Sequence, residues 1–303
     1  MPVYGEENLE RGVRSLLAQT LDDIEFIFVD DRSPDSAYDI LLGIIAEEQY
    51  SPIRDHIKVV RHEVNKGAPA VRRTGWESST GDYIYQCDSD DWMDKDMLRI
   101  MWEKAVEGDY DEVECDVYLA EGDLPYRKAV FYMDEKHYPN WIKNPGTPTV
   151  WNKLFKRRVY QNDIIWPVYS YWEDYPLITQ LMYYSKSYLH LDTPLYYYYV
   201  NPDGIMRATD HRKRVAAMTA QIGILETFMR GKGIYKKNQA RFAIMKSDAM
   251  QVAWSLPRKE FLKVYRNDWP EVFLCKYVPF KTKLGHISKM LGIHGIGKIF
   301  GLS

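Results

Sequence analysis

A short run of apolar, β-forming residues ends in two adjacent aspartates at Ile24-Glu25-Phe26-Ile27-Phe28-Val29-Asp30-Asp31. Its length and its content of Ile, Phe and Val predict a buried β-strand. Apolar residues at helical spacing lie on both sides of this run, at Leu9, Val13, Leu16 and Leu17 before it and at Ile40, Leu41, Ile44 and Ile45 after it. Ser33 and Pro34 predict the N-cap and first turn of the second helix.

The alternation of strand and helix continues through the first part of the chain. The patterns predict strands over residues 57–60, 83–87 and 112–118, and helices over residues 70–80 and 94–106. Alternation of this kind indicates an α/β fold with a mostly parallel sheet flanked by helices. Ligands of such sheets bind beyond the carboxyl ends of the strands, so the loops after Val29, Val60 and Cys87 are where chemistry is expected.

The pattern changes further along the chain. Residues 119–170 lose the alternation, residues 187–191 and 195–200 predict two strands, and two amphipathic helices begin near residue 210. We therefore predict an α/β domain over residues 1–207 and a helical C-terminal region over residues 208–303.

Composition excludes several classes of protein. The 303 residues are 46% hydrophobic and 27% charged with a net charge of −3, which argues against a disordered chain and against nucleic acid as a partner. The three cysteines are far apart and predict neither a disulfide framework nor a thiolate metal site. With no apolar stretch long enough to span a bilayer and no signal peptide, a cytoplasmic protein is expected.

Two groups of acids follow predicted strands. Asp30-Asp31 ends one strand and Asp88-Ser89-Asp90-Asp91 ends another, so both groups should meet at one edge of the sheet. Crowded carboxylates repel one another unless a cation compensates them, and hard oxygen ligands favour Mg²⁺ or Mn²⁺. The alternative is ordinary turn chemistry that caps the following helix.

A third acidic pair, Glu173-Asp174, lies among aromatic residues ahead of an apolar helical run. An Asp at a helix start is usually an N-cap. An acid surrounded by aromatic rings would instead have a raised pKa and could serve as a general base.

Several short motifs occur together in a characteristic order. They are Pro2-Val3-Tyr4, Phe28-Val29-Asp30-Asp31-Arg32-Ser33, Asn65-Lys66-Gly67 with Arg72, Gly81-Asp82-Tyr83, Asp88-Ser89-Asp90-Asp91, Trp151-Asn152-Lys153-Leu154-Phe155, Glu173-Asp174 and Pro194-Leu195-Tyr196-Tyr197-Tyr198. In this order and spacing they resemble the family 2 inverting glycosyltransferases of the GT-A fold. The resemblance extends from the first residue to about Arg207.

The resemblance implies a nucleotide-sugar donor, typically a UDP-sugar, and assigns residues to it. Pro2, Val3 and Tyr4 would line the base pocket, with Tyr4 stacked on the base. Asp31 would hydrogen-bond the base, with Asp30 close by. The other implied donor-binding residues are Lys66, Arg72, Asp88, Ser89 and Asp90.

The resemblance also implies how the sugar is transferred. Asp90, with Asp88, would hold a divalent metal, Mn²⁺ or Mg²⁺, that bridges the diphosphate. Asp174 would be the catalytic base, with Glu173 beside it. The acceptor, a glycan or a lipid-linked acceptor, would lie near Asp91, Trp151 and Asn152.

The sequence departs from the family pattern at three places. The family's first strand has several apolar residues ahead of the Pro2 position, whereas this sequence starts at Met1. Gly5 replaces the usual Asn, and Arg32 replaces the usual Gly. These changes predict a different loop geometry and donor preference.

The C-terminal stretch is basic. After Glu271 no acidic residue occurs, while Lys276, Lys281, Lys283, Lys289 and Lys298 recur among apolar residues. A basic amphipathic segment of this kind suits peripheral contact with the anionic cytoplasmic face of a membrane. The alternative is a basic tail that packs on the acidic body or stays loose.

Two other functions are compatible with the same sequence. A nucleotidyltransferase of related fold also places acids at strand ends, but it has no use for Glu173-Asp174. A carbohydrate-binding or scaffold protein could keep the fold without turnover, although the acids at positions 88, 90 and 174 argue against it.

Overall fold

The computed structural model describes residues 1–5, 8–121, 124–129, 149–200 and 210–293. The chain forms two compact units, Met1–Glu135 with Pro145–Pro202 and Lys136–Asn144 with Asp203–Ser303. The described residues of the 149–200 stretch thus fall in the first unit and those from Asp210 onward in the second, and the predicted boundary after residue 207 lies outside the described residues. Residues 122–123 and 130–148, within the stretch that loses the alternation, and the last part of the basic tail, with Lys298, lie outside the described residues.

The first unit begins with a parallel three-stranded sheet. Its strands, in the order in which they pair, are β1 (Pro2–Val3), β2 (Phe26–Asp30) and β3 (Ile57–Arg61). The register sets Val3 opposite Asp30, and Asp30 opposite Arg61. The connecting helices are α1 (Leu9–Leu17), α2 (Ala37–Ala46) with a 3₁₀ helix (Glu48–His56), and α3 (Ala68–Ser78). The expected α/β alternation is therefore present in this part of the chain.

A mixed sheet completes the first unit. Its strands are β4 (Tyr83–Tyr85), β5 (Trp92–Met93), β6 (Glu112–Glu121), β7 (Leu124–Ala129), β8 (Lys153–Lys156) and β9 (Tyr188–Tyr199). They pair in the order β4-β8-β6-β9-β5, with β7 on β6, and only β6 and β9 run parallel. The helices are α4 (Met97–Glu107), α5 (Arg157–Tyr160) and α6 (Asp174–Tyr184). The α/β fold is confirmed, whereas the strands of this second sheet are mixed in direction and not mostly parallel.

One hydrophobic core joins the two sheets of this unit. It contains fully buried side chains from α1, β2, α4 and β6, among them Val13, Phe28, Met101 and Val113. Burial of such side chains contributes roughly 1.5–3 kcal/mol each. This core fixes the strand ends that carry the acidic loops.

Local hydrogen bonding explains two differences from the predicted elements. Helix α2 begins at Ala37 instead of near Ser33, because the Ser33 amide and hydroxyl both donate to Asp30 Oδ1, at 3.2 and 2.5 Å. The single strand β9 (Tyr188–Tyr199) occupies the region where two strands, over residues 187–191 and 195–200, were expected. Pro194 falls at a register irregularity of this strand opposite Asp116, where a residue without an amide proton is tolerated.

The second unit is helical. Its helices are α7 (His211–Gly231), α8 (Tyr235–Val252), α9 (Arg258–Tyr265), α10 (Trp269–Leu274) and α11 (Phe280–Leu291), and a 3₁₀ turn (Ala253–Ser255) follows α8. Asp210 caps α7 by accepting the amide protons of Arg212 and Lys213. Within the described part of the chain, no helix is both long and apolar enough to cross a bilayer.

Candidate active site

The acidic loop of residues 88–91 follows β4 and packs against helix α1. The α carbon of Gly12 lies so close to this loop that an added Cβ would be 2.5 Å from Ser89 O and 2.9 Å from Asp91 O. A side chain of any size would overlap these backbone oxygens. Gly12 therefore permits the close approach that sets the position of the acids.

Asp91, which was predicted on the acceptor side, makes buried hydrogen bonds to strand β9. Its side chain is 1% exposed and accepts hydrogen bonds from the Tyr196 hydroxyl and the Tyr199 amide, both at 2.7 Å. The Tyr196 hydroxyl also accepts the Asp88 amide proton at 3.3 Å. Burial, followed by the charges of Asp90 and Asp88, raises the pKa of Asp91 well above its usual value. Asp91 therefore fastens the acidic loop to strand β9.

Arg72 of helix α3 connects three of the predicted site acids. Its buried guanidinium lies 2.7 Å from Asp88 Oδ1 and 3.5 Å from both Glu173 Oε1 and Asp174 Oδ1. Acids about 85 residues apart in the sequence thus meet at one cation. Arg72 was predicted to lie against the base or the diphosphate, and in the structure its guanidinium lies among these three carboxylates.

The approach to helix α6 orients the Glu173-Asp174 pair. Trp172 takes a left-handed conformation with φ of 65°, and its ring stacks on Tyr175 at 5.6 Å between centroids. Asp174 is the first residue of α6, where the helix dipole favours a negative charge. The sharp turn and the helix start together hold both carboxylates toward Arg72.

Burial raises the pKa of both members of this pair. For Glu173, burial is followed by the charge of Asp174, which raises its pKa further, and by Arg72, which lowers it. For Asp174, burial again raises the pKa, Arg72 lowers it, and the charge of Asp88 raises it. A carboxyl whose pKa lies nearer to neutrality is a better match for general base chemistry than an exposed one.

Tyr198 of β9 connects the acidic loop electrostatically with Asp174. The pKa of its phenol is raised to about 12, first by burial and then by the charges of Asp91, Asp90, Asp88 and Asp174, in that order. The charges of the acidic loop and of the predicted base therefore act on one hydroxyl.

Asp31 is directed into the loop that precedes helix α3. Its Oδ1 accepts from His62 Nδ1 at 2.7 Å and from the Lys66 amide at 2.9 Å, and its Oδ2 accepts from the Gly67 amide at 2.7 Å. Gly67 has φ of 84°, and an added Cβ would lie 2.7 Å from Ser170 Oγ. Asp31 thus shapes the loop, and its Oδ2 keeps capacity for one more donor.

The other residues predicted to bind the donor differ in exposure. Asp30 is buried and pairs with Arg61 Nε at 2.8 Å, so it supports the strand ends. Val3 is also fully buried, and its carbonyl accepts the Asp31 amide proton at 3.0 Å. Tyr4, in contrast, is 53% exposed at the end of β1. Tyr4 thus presents an exposed aromatic side chain at this rim, whereas the Val3 side chain contributes to the core.

Trp151 and Asn152 were expected near the acceptor and are both buried. The Trp151 ring stacks with Tyr196 at 4.8 Å and with Tyr198 at 5.3 Å. Asn152 donates to the Cys115 carbonyl at 2.9 Å and accepts from Lys153 Nζ at 2.8 Å. These contacts support β6, β8 and β9 beneath the site, and both side chains are buried within the protein.

The carboxylate oxygens of the acidic loop are suitable ligands for a divalent cation that arrives with substrate. Asp88 and Asp90 keep solvent-accessible surface, and both charges act on Asp91, so the carboxylates are crowded. Across the residues that the structure describes, no group of three or more His, Cys, Asp or Glu forms a complete metal site. Two carboxylates completed by substrate phosphates are a common arrangement for such an ion.

A cavity lies between strands β2 and β4. Its lining includes Met1, Ile27, Tyr83 and Tyr85, together with two predicted donor-binding residues, Pro2 and Arg72. None of the predicted metal-binding or catalytic carboxylates lines it. The candidate metal-binding and catalytic carboxylates therefore lie at the rim formed by the carboxyl ends of the strands and not in this cavity.

Sequence reasoning missed several residues that shape the site. Gly12, His62, Ser170 and Tyr198 were not singled out for these contacts. The loop after Val60 had been named as a place for chemistry, which could have drawn attention to His62. Gly12 carried no local signal, because its role depends on a contact with residues almost 80 positions away.

Known proteins share both the sequence pattern and the fold. A family model described as Glycosyl transferase family 2 matches residues 1–163. The putative glycosyltransferase EpsH of Bacillus subtilis (strain 168) is 30% identical over 218 residues, which are 68% of this chain and 61% of that protein. The chain thus spans about three fifths of that relative's length.

Two solved structures share the fold at low sequence identity. S. aureus TarS 1-349 in complex with UDP-GlcNAc has a TM-score of 0.61 and 16% identity, over 96% of this chain and 90% of that one. The mannosyltransferase PcManGT from Pyrobaculum calidifontis, in complex with GDP-Man and Mn²⁺, has a TM-score of 0.51 and 14% identity, over 97% and 86%. These likenesses confirm the expected GT-A fold. With the family model covering more than half of the sequence, the chain belongs to glycosyl transferase family 2.

Proposed function

We propose that this protein is a metal-dependent, inverting glycosyltransferase that moves a sugar from a nucleotide-sugar to an acceptor hydroxyl. The observation that carries the proposal is the meeting of Asp88, Glu173 and Asp174 at Arg72. This arrangement sets an acid of the predicted metal-binding loop beside the predicted base. A transferase needs both groups within reach of one sugar.

Asp88 and Asp90 are the residues that hold the divalent ion in this proposal. When bound, the ion stabilises the negative charge of the departing diphosphate as a Lewis acid. Arg72 limits the repulsion between the acidic loop and the Glu173-Asp174 pair. Tyr196 and Asp91 keep the loop in place, because the Tyr196 hydroxyl bridges the Asp88 amide and the Asp91 carboxylate.

Asp174 is the general base of the proposed reaction. It takes the proton of the acceptor hydroxyl while that oxygen attacks the anomeric carbon from the side opposite the diphosphate, so the configuration inverts. Its raised pKa, caused first by burial, suits proton transfer near neutral pH. Glu173, whose pKa is also raised by burial, adds negative charge only at higher pH.

We assign a UDP-sugar as donor. TarS was solved with UDP-GlcNAc and PcManGT with GDP-Man, so the family likeness supports a sugar nucleotide, and the uracil assignment rests on the Asp31 motif. Tyr4, exposed at the rim, stacks on the base. The Lys66 amide and Asp31 form the adjoining loop.

We assign a glycan or lipid-linked glycan as acceptor, which places the enzyme in polysaccharide biosynthesis. The setting is the cytoplasm, with peripheral contact at the cytoplasmic face of the membrane. The basic C-terminal segment supports this location, because an anionic leaflet attracts lysines.

Binding and turnover together test the proposal. Calorimetry with UDP should show binding that strengthens when Mn²⁺ is added, and absence of nucleotide binding would favour a scaffold. A screen of UDP-sugars that measures UDP release should identify the donor, whereas pyrophosphate release from a nucleoside triphosphate would favour a nucleotidyltransferase. Asp174→Asn should lower transfer by roughly 10²- to 10⁴-fold with UDP affinity nearly unchanged. The matched control is Asp163→Asn, at an exposed position, and transfer that survives in Asp174→Asn would place the base elsewhere.

A further inference from the structure

The turn between helices α10 and α11 exposes large apolar side chains. We call residues 273–283, which comprise this turn, the last two residues of α10 and the first four of α11, the basic turn. Within it, Leu274 is 81% exposed, Phe280 is 70% exposed and Tyr277 is 44% exposed. Single exposed apolar residues are ordinary, but three large ones in one short turn mark a surface that contacts something other than water.

Two helices hold the basic turn in a fixed shape. Val278, in its centre, is buried, and His286 of α11 bonds Ser247 Oγ at 3.0 Å and the Trp254 indole N–H at 2.9 Å. Arg258 Nε donates to the Met290 carbonyl at 2.7 Å. The exposed side chains are thus presented by an anchored segment, so docking would not require the turn to fold first.

The basic turn carries only positive charge. Lys276 lies 5.1 Å from the Tyr277 ring centroid, and Lys283 lies 5.9 Å from that of Phe273. These cations border the apolar side chains, as in surfaces that insert rings at a headgroup boundary while lysines contact the headgroups. No acid follows Glu271 in the sequence to oppose them.

The two nearest acids in the sequence before the turn are already paired. Lys246 Nζ lies 2.8 Å from Glu271 Oε2 and 3.0 Å from Asp268 Oδ1. Glu271 also accepts from the Tyr235 hydroxyl at 2.8 Å. Their charges are directed toward Lys246, so the local surface stays positive although the whole chain carries a net charge of −3.

We propose that the basic turn docks on an anionic lipid surface, with Leu274 and Phe280 entering the headgroup boundary and Lys276, Lys281 and Lys283 contacting lipid phosphates. This deepens the proposed membrane location and rests on it for the choice of leaflet. It also narrows the predicted contact, which extended to Lys289 and Lys298, to residues 273–283. The proposal uses no catalytic residue.

Sedimentation with vesicles tests the proposal on the full chain without donor or acceptor, so its failure is distinguishable from failure of the transferase assignment. The protein should bind vesicles of phosphatidylcholine with 30 mol% phosphatidylglycerol and should bind pure phosphatidylcholine at least tenfold less. The triple variant Lys276→Gln/Lys281→Gln/Lys283→Gln should lower partitioning about 100-fold, because each basic residue near an anionic surface contributes about fivefold. Leu274→Ser/Phe280→Ser should lower it about tenfold or more.

A matched variant separates this surface from net charge. Lys213→Gln/Lys236→Gln/Lys237→Gln removes the same charge from exposed positions of the same unit and should leave partitioning within about threefold of the unmodified chain. Equal losses in both triple variants, or equal binding to neutral and anionic vesicles, would overturn the proposal. So would a concentration-dependent dimer abolished by Leu274→Ser/Phe280→Ser without vesicle binding, since the turn would then bind a second copy.

Discussion

Replacement of Gly12 by Ala tests whether helix α1 positions the acidic loop. The added Cβ would lie 2.5 Å from Ser89 O and 2.9 Å from Asp91 O. Since carbon and carbonyl oxygen do not normally approach within about 3.3 Å, the loop must move by roughly 0.8 Å. A displacement of about 1 Å at a reacting centre costs on the order of 10²-fold in rate.

The expected stability change combines two opposite terms. Alanine in the interior of a helix is worth about 1 kcal/mol more than glycine. Overpacking against a fixed backbone costs typically about 1–3 kcal/mol, so Gly12→Ala should be neutral to destabilising. Gly43, inside helix α2, is the matched control because nothing lies within 4 Å of its added Cβ. Gly43→Ala should stabilise the protein by about 0.5–1 kcal/mol.

Calorimetry and denaturant unfolding measure both effects. Gly12→Ala should weaken Mn²⁺-dependent UDP binding at least tenfold and lower UDP release from the donor about 100-fold, while Gly43→Ala changes neither. If Gly12→Ala is stabilised as much as Gly43→Ala and binds UDP normally, the contact does not position the loop. Reduced stability with unchanged UDP binding would refute the link between this contact and the site.

Three further changes follow from the structure. Asp91→Asn keeps the shape of the side chain, but its NH₂ group then faces one of the two hydrogen-bond donors, the Tyr196 hydroxyl or the Tyr199 amide. Denaturant unfolding should therefore show a free energy of unfolding lower by about 1–3 kcal/mol, and UDP binding should weaken as well. Arg32 has a left-handed φ of 59°, a conformation that glycine adopts without steric cost. Arg32→Gly should therefore raise the free energy of unfolding by about 1 kcal/mol, and unchanged thermal stability would contradict this prediction. Burial lowers the pKa of His286 to about 4. As the pH falls, the imidazole is therefore protonated in the unfolded chain before it is protonated in the folded one. The stability from neutral His286 is complete above pH 6.5 and is lost toward pH 4, by about 2–3 kcal/mol, and His286→Gln should remove that part of the pH slope.

The alternation of strands and helices could be predicted from sequence because it is a local property. The runs around Phe26–Asp30 and Tyr83–Tyr85 are long enough in β-forming residues to identify strands, and the acids directly follow them. The direction of the later strands could not be predicted in this way. Strand β8 pairs antiparallel with both β4 and β6, and that choice depends on how the chain returns across the sheet.

By itself, the sequence determined the α/β class, the family resemblance and which acids stand at strand ends, because periodicity and motif order are written along the chain. Only the tertiary structure decided which of the motif residues are buried and which meet at the site. Val3, Asp91 and Asn152 match the family motifs but are buried, whereas Asp88 and Asp174 meet at Arg72. The physical reason is that burial and ion pairing depend on contacts between distant segments, such as Gly12 with Ser89, which no local pattern encodes.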